Sequence, residues 1–167
     1  GIFILISINT ISSAKYIMEN TIDVANMNID RTKPKIELIE IQNTNTNYPQ
    51  YANKTHTISF KIKVTEKNIG KNNFVKDFFG FKLDENNINI SEDNFSIKEI
   101  ESINEGKIYK IDIKGISGNG KLSMQIKEGA IIDKCGLKSE SQNIDSGIII
   151  DNTAPVGKFK EVKIQDG

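Results

Sequence analysis

Thr57-Ile58-Ser59-Phe60-Lys61-Ile62-Lys63-Val64-Thr65 alternates apolar and polar residues without a break. A strand sends successive side chains to opposite faces, so Ile58, Phe60, Ile62 and Val64 share one face and Ser59, Lys61 and Lys63 the other. A helix would scatter the same residues around its axis. The apolar members are β-branched or aromatic, the types that suit a pleated, half-buried surface. One face against a core and one in water is the pattern of an antiparallel sheet.

The same alternation appears on either side. Tyr109, Ile111 and Ile113 form one set, and Leu122, Met124 and Ile126 another. Residues 35–43 read as an opening strand. Shorter strands are predicted around residues 81–83, 88–90, 95–97 and 148–150. Clusters rich in Asn and Gly at 43–53, 86–87, 115–120 and 134–143 read as the turns between them. Residues 68–80 are the least regular, and Phe74, Phe78, Phe79 and Phe81 fit either a helical turn or a crossover between strands. No stretch holds a helical period over three turns. Many short strands with one apolar face predict an all-β protein, a two-sheet sandwich. Its core should set Ile58, Phe60, Ile62 and Val64 against Ile111, Ile113, Leu122, Met124 and Ile126.

Beyond the strands lies a repeat. Asp30-Arg31-Thr32-Lys33-Pro34 returns as Asp151-Asn152-Thr153-Ala154-Pro155. Residues 35–43 then match residues 158–166 in their Lys, three apolar positions and Gln-Asn or Gln-Asp ending. A recurring strand after a recurring linker implies tandem modules. Proline fixes its own φ and pushes the preceding residue, Lys33 or Ala154, towards extended backbone, which limits swivel between modules. Residues 1–14, GIFILISINTISSA, are an apolar run passing into small residues, the pattern of a secretory signal too short to span a bilayer. The expected division is therefore a signal-peptide remnant at 1–14, lead-in and linker at 15–33, one module at 34–151, and at 152–167 a linker and the start of a second, truncated module. Cleavage after Ala14 would leave Lys15 as the mature start.

Composition excludes several functions. Basic and acidic residues balance at 22 each, so no net field draws the chain to nucleic acid or an anionic membrane. Arg31 is the only arginine, which removes the usual reader of bases. Tryptophan is absent and other aromatics are few, leaving little for a sugar- or base-stacking platform. Cys135, the single cysteine, can form no internal disulfide and lies far along the chain from His56, the single histidine. Gly115-Ile116-Ser117-Gly118-Asn119-Gly120-Lys121 has the spacing of a phosphate loop, but Leu122 stands where Mg²⁺ needs Ser or Thr. Residues 122–126 alternate as a strand instead of opening a helix, so the loop reads as a hairpin turn. No spacing assembles a catalytic set, and the chain is expected not to be an enzyme.

Four stretches carry a family resemblance. Asp151 to Pro155, with its upstream copy, resembles an inter-module linker. Ile62-Lys63-Val64-Thr65-Glu66 is similar to a second strand ending in an acid. Ile90-Ser91-Glu92-Asp93-Asn94-Phe95-Ser96-Ile97 resembles an Asp-x-Phe strand opening. Gly129-Ala130-Ile131-Ile132-Asp133-Lys134-Cys135-Gly136 resembles a Gly-Ala-x-x-Asp-x-x-Gly segment before the last strand, with Leu137 where Asn often follows. In this order they resemble the bacterial Ig-like domains found in tandem on secreted and cell-surface proteins. The resemblance implies an immunoglobulin-like sandwich and a non-catalytic spacer, scaffold or adhesion role, with neighbouring Ig-like modules of the same chain as partners. The alternative is a small module binding a cell-wall glycan or host ligand, attached to an enzyme elsewhere in the protein. No cofactor is implied. Glu66, Asp133 and Asp151, each at a predicted strand end, are the candidates for a calcium site, which would need further oxygens from backbone and water.

Overall fold

The computed structural model describes residues 31–155. The chain divides into two compact units, Gly1–Arg31 and Thr32–Gly167. The signal segment at 1–14, the lead-in at 15–30 and the second repeat strand at 158–166 lie outside the described residues.

In chain order the strands are β1 (Lys35–Asn43), β2 (Tyr51–Ala52), β3 (Ile58–Thr65), β4 (Ile69–Asn72), β5 (Phe79–Leu83) and β6 (Asn86–Ile88). They continue as β7 (Phe95–Ile103), β8 (Gly106–Ile113), β9 (Gly120–Ile126), β10 (Ile131–Asp133) and β11 (Gln142–Ile150). One sheet has the order β1-β3-β8-β7, and the other β2-β11-β9-β5-β6. All pairings are antiparallel except β2 with β11. The order β1-β3-β8-β7 in one sheet, facing β11-β9-β5 side by side in the other, is the immunoglobulin-like arrangement. The protein is an all-β immunoglobulin-like two-sheet sandwich.

The core follows from the alternation. Ile58, Phe60, Ile62, Val64, Ile111, Ile113, Leu122 and Ile126 are fully buried, and Met124 nearly so. Burying these faces is the main driving force open to a chain without a disulfide. Phe74, Phe79, Phe81, Phe95 and Tyr109 extend the core as an edge-on cluster with ring centroids 4.7–6.3 Å apart. The irregular segment before β5 is a crossover carrying one 3₁₀ turn, Lys76–Phe78.

Three turn expectations are corrected. Residues 115–120 do not close a hairpin: they carry the chain from β8 in one sheet to β9 in the other. Asn86 and Asn87 belong to β6, and the reversal falls on Asp84 and Glu85, with Asp84 at φ 54°. The cluster at 43–53 contains β2, which leaves the first sheet's side and pairs with β11.

Both edges of the four-stranded sheet are bulged, β1 between Leu38 and Glu40 and β7 between Glu99 and Glu101. A bulge interrupts the row of free backbone groups that would otherwise recruit another strand. Each leaves one isoleucine, Ile39 or Ile100, facing water.

Register fixes where the chain enters and leaves. Lys35 lies level with Thr65, and Thr65 with Gly106, at the leading end. Ile150 lies level with Ala52 and Gly120 at the trailing end. The ends are opposite, about 25 Å apart for strands of eight residues.

Candidate functional site

At the leading end the connections β3–β5 and β9–β11 meet. β4 and β10 pair there as a small two-stranded sheet. Gly70 permits the approach: a Cβ on it would come 2.7 Å from the Asp133 carbonyl oxygen. Asp133 is buried, and its Oδ1 accepts the Cys135 and Leu137 N–H groups at 2.9 and 2.8 Å. Gly136 then closes the loop at φ 89°, a conformation that favours glycine, and donates to the Asp133 carbonyl. Leu137 supplies only its backbone here, so the loop needs no side-chain amide at that position. Ser139, wholly buried, accepts the Ile131 N–H through its Oγ. These contacts give a physical reason for the Asp-x-x-Gly part of the Gly-Ala-x-x-Asp-x-x-Gly segment, Asp133 to Gly136.

Glu66 is buried at the end of β3, and its Oε2 accepts the Asn68 N–H at 2.9 Å. The Asn68 carbonyl in turn accepts the Lys134 N–H. Glu66 and Asp133 therefore serve the same end of the sandwich, each holding its own loop. Asp151 does not join them. It lies at the trailing end, where its Oδ1 accepts the Thr153 N–H and its own N–H donates to Ala52. A Ca²⁺ ion gathers ligands within about 2.6 Å, so these three acids cannot share one. Among the described residues no three His, Cys, Asp or Glu side chains stand close enough to hold a metal. The expected result is one melting temperature in millimolar calcium and in chelator, since a native-state ligand would raise it. A rise of several degrees in calcium would show a site that this geometry does not provide for.

A depression of about 550 Å³ opens beside the leading end, walled by Glu66, Lys67, Asn72, Glu105, Lys107 and Lys134. Its charges are mixed and do not converge. The Lys107 ammonium is held above its ordinary range by the hydrogen bond to Glu99, 3.0 Å away. Burial pushes the Tyr109 hydroxyl up, and that hydroxyl accepts a bond from Asn72. Lys107 is held as a cation by Glu99 and Tyr109 does not wall the depression, so neither supplies it with a base or nucleophile. Cys135 is exposed at the leading end, whereas His56 sits at the trailing end with its Nδ1 accepting the Asn53 N–H. They cannot act as a pair.

The trailing end is built from residues 52–57, 114–120 and 151–155. Gly115 and Gly118 both have positive φ, at 67° and 97°. The loop shaped like a phosphate binder thus lies at a sandwich end, and its Ile116 and Gly118 carbonyls accept from the Asn152 amide. Sequence reasoning passed over Asn152 because the repeat leaves that position open. Exposed aromatics among the described residues are Tyr48 and Tyr51, on the loop that leads into this end. Neither walls the leading-end depression.

The fold and its two ends define a class, an immunoglobulin-like module with its chain connections at opposite poles. No protein-family model matches the chain. No curated protein matches it. Among solved structures it is similar to the crystal structure of Dpr2 Ig1-Ig2 in complex with DIP-Theta Ig1-Ig3, at 10% identity and a TM-score of 0.36, over 77% of this chain and 54% of that one. The chain spans about half the length of that structure. The strand order, and not this likeness, carries the fold class. Among the described residues no helix is long and apolar enough to cross a membrane.

Proposed function

We propose that the chain is a non-catalytic Ig-like module of a bacterial secreted or cell-surface protein, acting as a spacer, scaffold or adhesion unit in a tandem array. One observation carries this reading: the chain enters at one pole and leaves at the other, between two copies of one linker motif. Modules joined in this way run end to end, so each adds its own length to the array. The dispersed, mixed charge of the leading depression and the internal position of most described aromatics favour a structural role over a ligand groove.

Double-label distance measurement on two modules joined through residues 151–155 tests it. The expected result is a narrow inter-module distribution centred near two module lengths. Pro155→Gly, at an exposed position, should change stability by less than about 0.5 kcal/mol while broadening that distribution. A broad distribution in the unmutated pair would replace the spacer with a flexible tether.

A further inference from the structure

At the trailing pole one side chain uses all its donors and an acceptor on other parts of the chain. Asn152 Oδ1 accepts the Lys54 N–H at 2.7 Å. Its Nδ2 donates to the Ile116 and Gly118 carbonyls at 3.0 and 2.7 Å. Its backbone N–H donates to Asn119 Oδ1 at 2.7 Å. Two loops from different parts of the chain are thereby tied to the outgoing strand. The neighbours add to this: Asp151 N–H bonds Ala52, Thr153 N–H bonds Asp151 Oδ1, and Asn119 Nδ2 reaches Thr153 Oγ1 at 3.3 Å.

We propose that Asn152 is a clamp that fixes the direction in which the chain leaves the module, so that the linker is rigid through Thr153 and swivel begins only at Ala154. The stiffness that the sequence assigns to proline then belongs first to Asn152. Only an amide fits, because the position needs an acceptor and two donors on one planar group. An aspartate would set carboxylate oxygen against the Ile116 and Gly118 carbonyls. The upstream motif has Arg31 at the matching position, and a guanidinium has no acceptor, so that copy cannot reproduce the clamp. The clamp deepens the spacer reading but is measured within one module, so the two can fail separately.

The test is backbone ¹⁵N relaxation and amide exchange on the full 167-residue chain. Thr153 should show an order parameter near 0.85 in the unmutated protein, falling below about 0.6 in Asn152→Ala and Asn152→Asp. The Lys54 amide should exchange at least about tenfold faster in Asn152→Ala, the loss of one hydrogen bond. Amides of residues 58–65 should be unchanged. Asn119→Ala removes a single side chain from the clamp and leaves the strands intact, so it decides the matter if Asn152→Ala does not fold: an intermediate loss of order at Thr153 supports the clamp. A Thr153 already below about 0.6 in the unmutated protein, or as ordered in the variants as before, overturns it. A rigid Thr153 beside a broad inter-module distribution would remove the spacer reading and leave the clamp standing.

Discussion

Phe60→Ala should lower stability by about 3–5 kcal/mol, measured as a shift in the denaturant midpoint at constant slope. Phe60 is wholly buried in β3, opposite Ile41 on β1 and Ile111 on β8. It is flanked on the same face by Ile58 and Ile62, also wholly buried. Removing the ring leaves a cavity between two sheets whose backbones are fixed by their own ladders, so collapse can fill little of it. No disulfide limits the unfolded state, and the loss should appear in full. Lys61→Ala is the control: the side chain faces outward and pairs with Glu40 at 3.5 Å, an exposed contact worth well under 1 kcal/mol. If Phe60→Ala shifts the midpoint no more than Lys61→Ala, the core is not centred on β3.

What the sequence showed was the half-buried strands of regular period. β3, β8 and β9 alternate cleanly because each has one wet and one dry face. The misses have particular causes. β2 has two residues and β4 reads Ile-Gly-Lys-Asn, so both pair through backbone groups that leave no side-chain pattern. β7 runs six residues past its predicted end because the bulge at Ile100 breaks its period. β11 begins at Gln142, six residues before the predicted strand at 148–150, because Ser146 and Gly147 interrupt its apolar residues. Yet Ser146 faces inward, donating to the Leu122 carbonyl at 2.6 Å and accepting the Ile148 N–H. A buried hydroxyl satisfied by backbone behaves as a core position, and Ile144, Ser146, Ile148 and Ile150 keep the period of two. At the ends, the sequence marked Glu66, Asp133 and Asp151 as acids at strand termini. It could not show that each accepts a backbone N–H two residues on, which turns a candidate ligand into a loop brace.

Asp133→Ala should cost about 2–4 kcal/mol, although the residue lies outside the main sheets. Its Oδ1 accepts two backbone N–H groups, from Cys135 and Leu137, in a loop that has no other acceptor placed for them among the bonds described. Alanine takes the acceptor from both donors, one on half-buried Leu137 and one on exposed Cys135. Against this, Asp133 Oδ2 is buried without a partner, and its removal returns part of that penalty. Two lost acceptor bonds outweigh one unsatisfied oxygen, so the net effect is destabilising. Asp133→Asn separates the two contributions, because it keeps the acceptor oxygen and changes only the unpartnered one. It should lie within about 1 kcal/mol of the unmutated protein. Chemical denaturation of all three proteins, with and without calcium, decides the matter. An alanine variant as stable as the parent would remove the brace, and an asparagine variant that loses a calcium-dependent gain would make Asp133 a ligand after all.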